Sequence, residues 1–343
     1  MCHLIYTDTF YMKRKWIRWV SWILLTPIIL FVILMVLLYV PPVQNLLRRE
    51  VTAYASKATG MQIQVERIDL RFPLNLLVRG VEVIQQPDTL LSLESLNVRV
   101  QAWPLIKGKV EVDEVTLSRV AVNSADLMEG MNIKGVLGRF FLQSHGVDLS
   151  NELAVINQVE LSDTHVQLLM NDTTTTPKDT TASAPINWKV ALHQLKLKNV
   201  SFSMQLPADS MRMAAHIGEA AIDDAQADLK NQYYDLKKFL LSGTSVSYDT
   251  GTAQPAEGFD ASHIAVRDIR IALDSLLYKG RDMNAVIREF TMNERSGLSV
   301  TSLTGRAYSN DSVICVPGLK LNTPHSEIDL SAHTYWELVN IPT

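Results

Sequence analysis

Three separated stretches of this chain repeat one odd spacing of apolar residues, and that spacing restricts what they can fold into. The residues are Val115, Leu117, Val120 and Val122; then Leu195, Leu197, Val200 and Phe202; then Ile264, Val266, Ile269 and Ile271. Each set falls at i, i+2, i+5 and i+7. A β-strand alternates faces with a period of two, so the step from i+2 to i+5 switches the pleat phase. A bulge at the polar residue in between returns all four side chains to one face and bends the strand. The run from Val159 through Leu161 to Val166 and Leu168 is a looser copy, with its last pair shifted by two. Repetition of such a unit predicts a stacked, quasi-one-dimensional sheet.

The rest of the chain agrees with an all-β reading. Before residue 61 a helical period is present. Leu46, Leu47, Val51, Tyr54, Ala55 and Ala58 recur at helical spacing, predicting an amphipathic helix over 43–60 that stops at Gly60. From Met61 onward the alternation is strand-like: Ile63, Val65, Ile68 and Leu70, then Val78 to Ile84, Leu91 to Val100 and Val110 to Val122. Gly, Pro, Asn and Asp interrupt these runs, as in mostly antiparallel arrays. Asp172 to Ala184, DTTTTPKDTTASA, reads as a flexible Thr-rich loop. Met211 to Asn231 reads as strand despite its alanines. Asp126 to Leu149 stays open, its four glycines arguing against a long helix.

Ahead of all this lies an uncharged 22-residue stretch, Trp19 to Val40. As a helix it spans about 33 Å, enough for a hydrocarbon core of about 30 Å. Lys13, Arg14, Lys15 and Arg18 precede it. The positive-inside tendency puts residues 1–18 in the cytoplasm and everything after the anchor beyond the membrane. A cleaved signal peptide is the rival reading. It fits less well, because its apolar region runs to about 15 residues and a small-residue cleavage site follows closely. The start is open between Met1 and Met12.

Composition narrows the chemistry. The first forty residues hold four basic side chains and one acid, leaving 28 of 32 basic and 35 of 36 acidic side chains beyond them, a net of −7. That balance disfavours nucleic acid, which needs a basic footprint. Cys2 and Cys315 fall on opposite sides of the expected anchor and cannot pair within the chain. The eight histidines form neither HxH nor HExxH, and His165 and His193 sit inside alternating strands. No GxSxG, phosphate loop or dinucleotide fingerprint is present. Asp223 and Asp224 read as solvated turn residues. The expectation is a protein with no catalytic residues, cofactor or metal.

An alternating sheet must cover its apolar face. A second sheet does so in a sandwich, and closure does so in a barrel. An open trough leaves the face to apolar ligands, of which acyl chains are the obvious ones at a membrane.

The ordered segments from residue 12 to about 125 resemble the start of the AsmA-like and TamB-like family. These are the basic N-terminus, the single anchor, the helix ending at Thr59-Gly60, and the stretches MQIQVERIDL, VRGVEV, LLSLESLNVRV and WPLIKGKV. The resemblance implies an inner-membrane, single-pass protein of a two-membrane bacterium, whose periplasmic part (61–343) is an elongated, curled antiparallel β-groove. It implies phospholipid transfer between membranes and outer-membrane biogenesis, with membrane phospholipids as partners. It also implies, for TamB-like members, protein insertion or secretion with an outer-membrane BamA-like partner. The C-terminal domain of TamB-like proteins has no counterpart here, so a chain incomplete at its C-terminus is expected. Within the groove, the twelve residues of the three repeats are the candidate lipid lining. Three readings stand: a lipid conduit, an assembly scaffold, and a structural domain with a closed core.

Overall fold

In a computed structural model, residues 39–338 are described, except 73, 86, 102, 105–110, 125–129, 149–150 and 172–186, and except the side chain of Leu47. The expected anchor and its basic flank, and the Thr-rich segment, lie outside the described residues, apart from Tyr39 and Val40. Among the described residues, no helix is long and apolar enough to cross a membrane.

One helix, α1 (Pro41–Thr59), precedes the strands. Proline in its first turn suits a position whose N–H has no helical partner. Gly60 ends it in a left-handed conformation, φ 71°, donating its N–H to the Ser56 carbonyl. Fifteen strands follow in one sheet. They are β1 (Gln62–Arg71), β2 (Asn75–Gln85), β3 (Asp88–Val100), β4 (Val112–Asn123) and β5 (Met131–Asp148). Then come β6 (Leu153–Met170), β7 (Lys189–Leu206), β8 (Met211–Asp228), β9 (Tyr233–Asp249) and β10 (His263–Lys279). The last are β11 (Asp282–Glu294), β12 (Ser299–Val300), β13 (Ser302–Ser309), β14 (Val313–Asn322) and β15 (Glu327–Tyr335). Spatial order follows chain order from β1 to β15, with only the two-residue β12 off the path beside β11. The sheet is curled and does not close.

Nearly every junction is antiparallel; β6 and β7 are parallel, with Leu153 beside Lys189 and Leu169 beside Gln205. Parallel neighbours cannot be joined by a tight hairpin. The long Thr-rich stretch falls in the chain where such a crossover is required. Most of the stretch left open by sequence is strand β5 (Met131–Asp148), and Met211–Asp228, read as strand, is β8. Asp223 and Asp224 lie inside β8 and not in a turn, which corrects the sequence reading.

Strand register explains the odd apolar spacing. At the step between i+2 and i+5 the backbone turns left-handed on six strands. This happens at Gly80 on β2, Arg119 on β4, Asp163 on β6, Asn199 on β7, Gly243 on β9 and Asp268 on β10, with φ between 47° and 58°. Opposite two of these lie Gly138 and Gly218. A Cβ on Gly138 would sit 2.7 Å from Asp163 Cβ, and one on Gly218 would sit 2.9 Å from the Gly243 carbonyl oxygen. The left-handed residues form a crease running across the strands, and bulges of this kind bend a sheet. The polar side chains at the crease are exposed and pair with one another. Asn199 Nδ2 donates to Asp163 Oδ1 at 2.8 Å, Asn293 Nδ2 donates to Asp268 Oδ2 at 3.2 Å, and Arg119 pairs with Glu94. The looser copy is then a full one. Thr164, buried at the i+5 position, bonds its hydroxyl to the Ser162 carbonyl and stands where the others carry an aliphatic residue.

The two long edges of the sheet differ. Helix α1 lies along β1. Arg48 Nη1 donates to the Val65 carbonyl at 3.0 Å, Gln44 Nε2 donates to the Leu70 carbonyl at 3.1 Å, and Ser56 Oγ accepts the Ile63 N–H at 3.1 Å. These bonds occupy backbone groups that an edge strand otherwise offers to another chain. Strand β15 carries no such cover among the described residues, and Ile328, Leu330 and Tyr335 are exposed on it.

Candidate functional site: an uncovered apolar face

Cross-strand pairing aligns the apolar positions into rows that run along the sheet. The longest begins with Leu70, Leu76, Val98, Val115, Leu142 and Val159 on β1–β6. It continues through Leu195, Ile222, Phe239, Leu273 and Ile287 to Gly305, Leu319 and Leu330. At about 4.8 Å per strand, those fourteen strands trace about 62 Å along the surface. A second row runs from Ile68 and Val78 through Leu96, Leu117, Phe140, Leu161, Leu197, Ala220, Leu241 and Ile271 to Phe290.

Beyond the crease lie two more. One takes Val65, Val81, Leu93, Val120, Leu137, Thr164, Val200 and Ile217. The other takes Ile63, Val83, Leu91, Val122, Gly135, Val166, Phe202, Ala215, Val246 and Val266. Eleven of the twelve residues picked out by the repeat fall in these rows or, for Ile269, in line with them through its partner Thr244. Ile264 lies one row further out, beside Tyr248. Leu142, Phe239, Ile222 and Leu273 share the same rows but lie outside the repeat units, and only strand register brings them in.

Nothing in the described structure covers this face. Among the described residues no large side chain is fully buried, and the buried apolar residues are few, half of them small: Ala154, Ala220, Ala272 and Cys315. Most row residues are half-buried, shielded by their neighbours along the row; Ile68, Thr164 and Ala220 are buried, while Val122, Phe202 and Val246 are 38, 41 and 40 % exposed. The opposite face pairs charges in register. Arg99 meets Glu114 at 3.1 Å, Lys189 meets Asp228 at 3.5 Å, and Lys196 meets Glu160 at 4.0 Å. Salt bridges this exposed contribute little to stability and suit a solvated surface.

No cluster of three or more potential metal ligands occurs among the described residues. His193 is exposed and sits 3.0 Å from Asp224, a left-handed residue at a second odd step on β8. His165 is exposed on the polar side of β6. Cys315 is a free, buried thiol beside Tyr308, whose ionisation it holds above the usual value through their hydrogen bond. The most strongly shifted acid, Asp260, is drawn down to about 2 because it accepts the N–H groups of Ala256 and Ser262 and faces His263. That cluster fastens the 250–262 loop to the end of β10. No family model matches the chain, and no curated protein matches it in sequence.

Proposed function

We propose that this chain is a membrane-anchored β-trough of the AsmA-like and TamB-like kind that carries phospholipid acyl chains along its apolar rows. Residues 19–40 act as the anchor in the inner membrane, with the basic flank in the cytoplasm and the sheet in the periplasm. One observation carries the reading: a sheet of fifteen strands presents continuous apolar rows and, among the described residues, buries no large side chain completely. A monomeric soluble fold does not leave so much apolar surface without an occupant. Each CH₂ removed from water contributes about 0.8 kcal/mol, so two acyl chains of ordinary length exposed together cost on the order of 20 kcal/mol. A row of methyl groups removes most of that cost at every point along its length. Transport of this kind needs no reacting group.

The test is the lipid that stays with the protein. Protein extracted in mild detergent is expected to retain phospholipid by mass spectrometry. Leu117→Asp and Phe202→Asp are expected to lose it while the strand signal in circular dichroism persists. Full lipid retention in both folded variants sinks the proposal. A closed-core domain would instead unfold, because a buried unpaired charge is costly. The scaffold reading draws on the β15 edge, uncovered among the described residues, which can accept a client strand by main-chain pairing. Crosslinks from β15 to unassembled outer-membrane strands, without bound phospholipid, are its expected signature.

A further inference from the structure

Between α1 and the outer flank of β1 and β2 lies a cleft of about 690 Å³, within the range of small-molecule sites. Its helical wall is basic, with Arg48, Arg49 and Thr52; its strand wall is acidic, with Glu66 and Glu82; Ile63, which begins one of the apolar rows, also lines it. Glu82 stands opposite Gln64 in register, and Glu66 extends across Gly80 on the same face. Among the described residues, none of these four charges forms an ion pair. Arg48 spends one nitrogen on the Val65 carbonyl, while its Nε and the Thr52 hydroxyl are covered and bond to nothing. Covered donors without partners are costly, and a group entering between helix and strand can relieve that.

From this arrangement we infer that the cleft holds a zwitterionic headgroup, a phosphodiester bearing a primary ammonium, as in phosphatidylethanolamine. A bare anion meets the two carboxylates, and a bare cation meets the two guanidinium groups. A ligand with both charges a few ångströms apart satisfies both walls. The phosphate oxygens take the arginine and threonine donors, and the ammonium donates to Glu66 and Glu82. A quaternary amine lacks those donors, so phosphatidylcholine fits less well. The inference rests on the proposed lipid carriage and names the lipid class that enters at the capped edge.

The experiment offers the full chain an equimolar mixture of palmitoyl-oleoyl phosphatidylethanolamine, phosphatidylglycerol and phosphatidylcholine, and reads bound species by native mass spectrometry. Phosphatidylethanolamine is expected to exceed each of the others by about tenfold, the effect of one or two charge-assisted hydrogen bonds. Glu66→Gln with Glu82→Gln is expected to abolish that preference while total bound lipid stays constant. Both side chains are exposed, so the variant retains its fold. Equal retention of the three lipids by the wild-type chain, or a preference that survives the double substitution, overturns the inference. A second arm titrates soluble phosphoethanolamine and follows its ³¹P resonance. Binding that the double substitution removes supports the cleft, and tighter binding than the lipid assigns the site to a soluble ligand. If the chain retains no lipid yet still binds phosphoethanolamine through Glu66 and Glu82, lipid carriage has failed and the cleft stands.

Discussion

Replacing Asn199 by valine and by glycine separates the backbone requirement of the crease from its hydrogen bond. Asn199 has φ 52° and donates to Asp163 across the parallel junction at 2.8 Å. Both substitutions remove that exposed bond, which contributes about 0.5–1 kcal/mol. Valine must in addition hold a β-branched side chain in the left-handed region, at about 1–2 kcal/mol. Glycine adopts that region without steric cost. Asn199→Val is therefore expected to lose about 2 kcal/mol of stability, and Asn199→Gly about 0.5 kcal/mol. With a urea slope of about 2–3 kcal/mol/M, the midpoints should differ by about 0.5 M or more. Urea titration followed by circular dichroism reads the difference directly. Equal midpoints for the two variants would show that the left-handed conformation imposes no constraint, and the account of the odd apolar spacing would fall with it.

Three further outcomes follow from particular contacts. Arg48→Ala removes the bond to the Val65 carbonyl and uncovers the β1 edge; the expectation is a loss of about 1–2 kcal/mol in a urea melt and concentration-dependent self-association by light scattering. Gly305 has φ 146°, and a Cβ there would collide with the Gly318 carbonyl oxygen on β14, so Gly305→Ala should destabilise by more than about 1 kcal/mol and loosen β13 and β14 in hydrogen exchange. The folded pKa of Asp260, about 2, lies below its ordinary 3.8, so its contribution is present above pH 3.8 and disappears as pH falls through about 2. Asp260→Asn should therefore weaken the 250–262 loop at neutral pH and flatten its acid sensitivity between pH 4 and 2, measured by proteolysis of that loop.

Much of the sheet is legible in the sequence because its strands alternate and its creases shift that alternation in a fixed way. The step from Leu117 to Val120 or from Leu197 to Val200 can be read without coordinates. Thr164 hides the same step on β6, since a polar residue stands at an apolar position and makes the pattern look shifted by two. The alanines of β8 pull against the strand reading that the structure bears out. Ala215 and Ala220 favour a helix by propensity, yet they sit opposite Phe202 and Leu197, where small residues fit the bulkier neighbours. The parallel pairing of β6 with β7 has no local signal, because direction is decided by the length of the connection and not by the strands. The headgroup cleft is equally hidden. Arg48 and Arg49 look like ordinary solvated helix residues until β1 and β2 bring Glu66 and Glu82 to face them. The resemblance to AsmA-like and TamB-like proteins anticipated a curled sheet, and the sheet is curled and unclosed; cargo and partners rest on the experiments above.

Among the described residues, each strand of this sheet packs chiefly on its immediate neighbours. Such modular construction makes size an evolvable quantity. Duplicating a hairpin inserts two rungs and extends the ladder by about 10 Å, while every existing rung keeps both of its companions. Gene length then translates directly into reach.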